Sequence, residues 1–226
     1  MRRIATACLL AALGLIHGVP ACAQSSDALP GRFEIAAGAA WIGSLSLGSR
    51  DANETTSTLT TARLFGTSTA LAGAPAVEGR VGVRLTRSLM VEGEASVARP
   101  ELRVEITNDV EAGSVSVVPA ERVQQFTVGG ALAWYVPVHT SRVAPFLAGG
   151  GGYLRQLHET ATLVVTGRYY QFGGGVVYPL TSRSAARLKA MGLRLEARAL
   201  IRVNGVAFDS SAHLTPTAGA SFFVRF

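Results

Sequence analysis

The residues of this chain that are equipped for acid–base or nucleophilic chemistry are few and scattered. His139 and Ser141 stand two apart in "HTS", close enough for an imidazole to serve a hydroxyl as base. They fall in a stretch that reads as a turn, and no carboxylate follows at a distance that would orient the imidazole. His139 is expected to be a turn residue. His158 and Glu159 adjoin in "RQLHET", and a loop histidine beside a carboxylate can bind a metal or take a proton. No second or third ligand accompanies them, and no candidate ligand adjoins His213 in the sequence. The four glycines at 149–152 do not make a phosphate loop, because no Lys-Ser/Thr pair follows and no helix opens after them. No catalytic residue, metal ligand or cofactor site is therefore expected.

What does recur is charge at every second position. "AVEGRVGVRLT" places Glu78, Arg80 and Arg84 opposite Val77, Val81, Val83 and Leu85. "LMVEGEASV" places Glu92 and Glu94 opposite Leu89, Val91 and Val97, and "LRLEARALI" places Arg194, Glu196 and Arg198 opposite Leu193, Leu195 and Ile201. A period of two is the strand signal. Both signs occur on the charged faces, so an enclosed set of these residues can pair, and left unpaired there each would be heavily penalised.

The elements that carry these charges read as eight strands, at about 32–47, 76–86, 89–98, 122–136, 143–154, 168–180, 192–202 and 214–226. Long polar stretches follow the first, third, fifth and seventh. The remaining connections are short, except for a basic insert with helical character at about 181–191. With both ends of the barrel region on the short-turn side, the strand number must be even. Each uncharged face is about nine residues long, which suits a tilted membrane-spanning strand. Arg or Lys facing lipid at mid-depth costs roughly 2–4 kcal/mol, so the charged face is expected to point inward. A soluble barrel of the lipocalin kind would show the reverse. The fold class expected is all-β: an eight-stranded antiparallel transmembrane up-and-down β-barrel.

Three local features refine that expectation. Past Pro100 the apolar residues move from odd to even positions, which predicts a bulge at the proline and a hairpin over about 101–121 projecting into the medium. The strand at about 143–154 is apolar on both sides, so its facing stays open. Trp41, Trp134, Tyr135, Tyr153, Tyr169, Tyr170 and Tyr178 lie towards strand ends, where interfacial aromatic girdles sit.

At the start, Arg2 and Arg3 precede an apolar run and then "ACAQ", the anatomy of a secretory signal with cleavage after Ala23. The organisation expected is a signal peptide at 1–23, a short segment at 24–31 and the barrel at 32–226. Cleavage at Cys22 to leave a lipidated terminus is the alternative. Removal of Cys8 and Cys22 leaves an exported chain without disulfides. The formal net charge is +6, but the arginines are spread over many segments, with no basic helix or aromatic-basic module. Nucleic acid is not expected as a partner, and the excess suits anionic lipid phosphates.

The chain closes on "ASFFVRF", with Phe222, Val224 and Phe226 at alternate positions. This ending resembles the terminal strand of bacterial outer-membrane β-barrel proteins, which the barrel-assembly machinery recognises after periplasmic chaperones deliver the chain. The mature region looks like the small eight-stranded barrels typified by the outer-membrane protein A transmembrane domain and the OmpX and OmpW groups, without a motif for any one member. The resemblance implies a monomer in the Gram-negative cell envelope, in contact with outer-membrane lipid and lipopolysaccharide. Some outer-membrane barrels are enzymes, and the lipid A deacylases carry a His-x-Ser arrangement with a downstream Glu facing the outer leaflet. Here "HTS" falls on the opposite rim and lacks the Glu. The expected role is that of a structural or surface-interaction protein whose lumen is plugged by its own charges, with an extracellular protein partner engaged through the loops. The alternatives are a narrow channel for small solutes or apolar molecules and, less favoured, an outer-leaflet lipid-modifying enzyme.

Overall fold

The computed structural model of the chain describes residues 31–55, 61–107, 116–137, 143–158, 164–182, 187–203 and 212–226. The proposed signal peptide, with Cys8 and Cys22, lies outside the described residues, as do His139, Ser141 and Glu159. Eleven strands follow in chain order: β1 (Phe33–Ile42), β2 (Leu45–Thr55), β3 (Thr61–Leu71), β4 (Ala74–Arg84), β5 (Leu89–Ala98), β6 (Glu101–Thr107), β7 (Ser116–Tyr135), β8 (Ala144–His158), β9 (Val164–Ser182), β10 (Ala190–Val203) and β11 (His213–Arg225). Among the described residues no helix is long and apolar enough to cross a membrane.

Eight of these strands close a barrel. The antiparallel order runs β1, β4, β5, β7, β8, β9, β10, β11 and back to β1, with β7–β8 completing the ring. The seam joins Glu34 to Arg225 and Ile42 to Thr217 in one unbroken register. Closure leaves no free sheet edge at this level, so every ladder donor and acceptor finds a partner within the wall. One rim, here called the lower, gathers the start of β1, the end of β11 and the β4–β5 turn: Arg84 N donates to Arg32 O at 2.8 Å, and Arg32 N donates to Phe226 O at 2.7 Å. In that turn Thr86 Oγ1 accepts from Leu89 N at 3.0 Å, a hydroxyl standing in for a missing ladder partner.

Above the barrel stands a second sheet, ordered β2-β3-β6-β7. β1 continues upward into β2 across Gly43 and Ser44, β3 leads down into β4 across Ala72 and Gly73, and β5 leads up into β6 across Arg99 and Pro100. β7, 20 residues long, serves both levels. Its lower part pairs with β5 and β8 from Val123 onward, and its first residues pair with β6. The outer side of β2 pairs with no strand among the described residues.

Several expectations are corrected here. The Thr/Ser-rich stretch after the first strand, read as a polar loop, contains β2 and β3. The projecting hairpin is present as β6 and the upper part of β7, but β6 is interior to the sheet, paired on its other side with β3. The register irregularity near Pro100 falls between Leu102 and Val104 instead of at the proline. Sidedness does not invert there either. Even positions face inward on both β5 and β6, and what changes is their chemistry, from Glu92 and Glu94 below to Leu102 above. The described ends of the 181–191 insert belong to β9 and β10, whose chains at Thr181, Ser182, Ala190 and Met191 are extended. The fifth and sixth strands run further up than expected, to His158 and from Val164.

The outward face of the barrel is apolar. Val77 is 70% exposed, and Val81, Leu132, Leu147, Phe172 and Leu195 are also exposed. Trp41, Tyr153 and Tyr170 stand on this face towards the top, and Phe33, Trp134 and Tyr178 towards the bottom. Tyr170 and Tyr178 are eight residues apart on β9, ~26 Å along the strand or roughly 20 Å of height at a tilt near 40°. Tyr135 and Tyr169, expected in the same girdles, instead point inward and are buried. β8 turns Phe146 and Leu154 inward and Leu147 and Tyr153 outward, which fixes the facing that its sequence left open.

Candidate functional site

Alternation along each strand delivers the charged side chains to the lumen. They come from β1 (Glu34), β4 (Glu78, Arg80), β5 (Glu92, Glu94), β10 (Arg194, Glu196, Arg198) and β11 (Arg225). Their partners lie across the lumen, on neighbouring strands or two residues along the same strand, so they form a stack of linked layers.

The lowest layer sits on the seam. Arg225 Nε donates to Glu34 Oε2 at 2.5 Å, and Arg225 Nη2 donates to Tyr135 Oη at 3.1 Å. One layer up, Arg194 makes a forked pair with Glu92, Nη1 to Oε1 at 2.5 Å and Nη2 to Oε2 at 3.1 Å. Its Nε donates to Glu196 Oε2 at 3.1 Å, and its guanidinium lies 4.0 Å from the centre of the Phe146 ring. Planar two-point pairing and stacking on an aromatic face are both properties of arginine that lysine lacks. Arg80 then clasps both oxygens of Glu196, at 3.1 and 2.6 Å, and reaches Glu78 Oε1 at 3.2 Å. Arg198 completes the stack, donating to Glu78 Oε2 at 2.5 Å and to Glu94 Oε2 at 3.2 Å. Glu94 also accepts from Tyr169 Oη at 2.9 Å and from Gln171 Nε2 at 2.5 Å.

The set is close to neutral: carboxylates Glu34, Glu78, Glu92, Glu94 and Glu196 face guanidiniums Arg80, Arg194, Arg198 and Arg225. Arg194 is 1% exposed. An ion this deep is tolerable only where pairing and hydrogen bonds offset its desolvation, and the arrangement supplies both. Of the residues singled out from sequence, Glu78, Arg80, Glu92, Glu94, Arg194, Glu196 and Arg198 are joined in this way. Arg84 stands lower on β4, with its guanidinium 5.7 Å from the Tyr135 ring centre. Sequence reasoning missed Glu34 and Arg225. The signal was present, since Glu34 interrupts the apolar "RFEIA" at an alternate position and Arg225 sits among phenylalanines. Arg225 has no oppositely charged neighbour nearby in the chain, and nothing local signals that Glu34 pairs with it instead of with Arg32 two residues away.

Apolar side chains fill the lower end of the lumen, around the Arg225–Glu34 layer and under the Arg194 guanidinium. Met90, Ala133, Phe146, Val177 and Phe223 are buried together, and the Met90 Sδ accepts a contact from Tyr135 Oη at 3.6 Å. Gly82 makes room for this methionine, because a Cβ there would lie 2.0 Å from Met90 Cε. Above the ions is a chamber of about 40 Å³, walled by Glu78, Glu94, Arg198, Gln125, Thr127 and Thr217 among others. Higher still, Leu45, Leu47, Leu71 and Val123 bury one another beneath the upper sheet. The molecule is thus polar-cored in its barrel and apolar-cored above it.

The histidines do not converge on this site. His158 Nδ1 pairs with Glu121 Oε1 at 3.2 Å, tying the top of β8 to β7. His213 faces inward at the upper end of β11, opposite Arg202 in the ladder. Among the described residues there is no group of three His, Cys, Asp or Glu side chains placed to hold a metal ion.

No model of a known protein family matches the chain, and no curated protein does. Solved structures share its fold. The crystal structure of Neisserial surface protein A matches at a TM-score of 0.54 and 14% identity, over 86% of this chain and 97% of that one. OprG from Pseudomonas aeruginosa matches at a TM-score of 0.46 and 11% identity, over 87% of this chain and 97% of that one. Ail of Yersinia pestis matches at 0.38 and 10%, over 86% and 99%. The chain is similar in structure to small eight-stranded outer-membrane barrels as a group, with no specific member indicated.

Proposed function

We propose that this chain is an integral protein of the bacterial outer membrane whose lumen is closed by its own ionic network, and that it acts as a structural or surface-interaction protein. The observation that carries this reading is the inversion of polarity in the barrel wall. Outward positions are apolar and exposed while guanidiniums and carboxylates are buried inside, an arrangement that water would destabilise and lipid favours. The aromatic residues at the two ends of the outward face agree with interfacial anchoring.

Closure rests on the links between strands that stand apart in the ring. Arg194 to Glu92 joins β10 to β5, and Arg80 to Glu196 joins β4 to β10. Together with the apolar cluster beneath, they occupy the space a solute would need. The upper sheet, with β2 at its edge, is the part offered to the medium and to a protein partner. Phe222, Val224 and Phe226 serve as the assembly signal read by the barrel-assembly machinery after chaperone delivery. The segment 1–23 is the cleaved export signal, lipopolysaccharide and outer-membrane lipid surround the barrel, and the chain is a monomer without enzymatic activity.

Conductance decides the central point. The refolded barrel in a planar bilayer should give no persistent ohmic steps. Stable steps from the purified protein would overturn the closed-lumen reading and favour a narrow channel.

A further inference from the structure

We propose that Arg202 and Thr215 form a binding site for a small water-borne oxyanion, a phosphate or carboxylate, at the upper end of the lumen. Arg202 is an inward-facing residue of β10 and is 4% exposed, yet its Nε and Nη1 have no hydrogen-bond partner. It forms no salt bridge among the described residues, unlike Arg194 and Arg198 on the same strand. Four residues separate it from Arg198, ~13 Å along the strand, so the ionic stack ends below it.

The surroundings offer donors and no counter-charge. Directly opposite Arg202 in the two ladders stand Tyr169 on β9 and His213 on β11. The next inward position on β11 is Thr215, 0% exposed, opposite Leu200 and diagonal to Arg202 in the ladder. Its buried Oγ1 has no hydrogen-bond partner. Glu94 is already held by Tyr169, Gln171 and Arg198. A buried cation with no carboxylate partner among the described residues and an unused hydroxyl beside it is a costly arrangement for a folded chain. An oxyanion supplies what both lack: negative charge for the guanidinium and an acceptor for the hydroxyl. Because these residues face the lumen, the ligand reaches them from water at the barrel mouth, and the lipid-covered outer wall gives no access. The site does not depend on the lumen being closed below it, so conductance and anion binding fail or succeed separately.

The test is calorimetric titration of the detergent-folded full barrel with inorganic phosphate and with acetate. The Arg202 Nε–H resonance of ¹⁵N-labelled protein is followed in parallel. Saturable binding of one of these ions is expected, with a shift of that resonance. Arg202→Met should weaken binding at least ~10-fold, as loss of a charge-assisted pair requires. Thr215→Val should weaken it less, and Arg202→Lys should retain part of it. Without ligand, Arg202→Met should melt no lower than the parent barrel, since it removes an uncompensated buried charge. Should Arg202→Met fail to fold, the threonine and lysine variants decide. The proposal is overturned if neither ion binds saturably, if the variants bind as tightly as the parent, or if lipopolysaccharide micelles alone elicit a response.

Discussion

Arg194 and Glu92 face each other across the lumen through two parallel hydrogen bonds, although they stand 102 positions apart in the chain. Both are almost wholly buried. Removing either partner strands the other away from water, with Glu92 left to Arg80 Nε at 4.0 Å, or Arg194 left to Glu196 at 3.1 Å and Glu34 at 3.9 Å. Arg194→Ala should therefore destabilise the barrel by about 3–5 kcal/mol, read from urea unfolding in lipid vesicles. The double variant Glu92→Leu/Arg194→Leu should recover much of that loss, because an apolar pair leaves no bare charge. Equal stability of Arg194→Ala and the parent would refute the pairing.

The outward face offers the mirror experiment. Val81 is exposed on β4, next in sequence to the buried Arg80. With lipid against this face, Val81→Arg should cost roughly 2–4 kcal/mol in bilayer folding measurements. If water covered the wall instead, the same change would be close to neutral.

Backbone crowding at the seam gives a third expectation. A Cβ on Gly38 would lie 2.2 Å from Ala220 O and 2.5 Å from Ser221 Cα. These are backbone atoms and cannot swing aside, so Gly38→Ala should cost at least about 1–3 kcal/mol and lower the folded yield. Gly79, beside which a Cβ meets nothing within 4 Å, is the control: Gly79→Ala should fold as the parent does. Heat-modified mobility on gels separates the two outcomes.

Above the barrel, the upper sheet depends on Leu45, Leu47, Leu71 and Val123. Leu71→Ala should cost about 2–5 kcal/mol of local stability and expose β2 and β3 to protease. The barrel below should stay intact, because its strands are held by separate ladders and by the ionic stack. Loss of the whole barrel on this substitution would show the two levels to be one cooperative unit.

Placement of the upper sheet outside the cell is open to direct labelling. Arg103 is exposed on β6, so a membrane-impermeant maleimide should modify Arg103→Cys on intact cells. Modification only after the outer membrane is permeabilised would reverse the proposed orientation.

The barrel strands other than β8 were legible because each carries its own period of two, as β4 sets Val77, Val81 and Val83 against Glu78 and Arg80. No distant information is needed to see that pattern. β2 and β3 were not legible for the converse reason. "LSLGSRDANET" and "TARLFGTSTAL" mix polar and apolar residues on both faces, since only their first or last few residues meet an apolar core. Glu34 and Arg225 escaped notice because a pair 191 residues apart leaves no spacing to read. The unused donors at Arg202 and Thr215 belong to the same class: an arginine looks alike in sequence whether it is paired or not. Strand eight's ambiguity had another cause, since the glycines of "FLAGGGGYL" carry no side chain to mark a face.

The seam between β1 and β11 also sets a timetable. Ile35 takes its place beside Val224, so the first staves of the cylinder stand waiting until the very latest portion of the polypeptide arrives. Contacts of such long range form slowly, and an unclosed wall presents raw edges to every neighbouring molecule meanwhile. The hoop can therefore shut at this seam only once both of its margins are present.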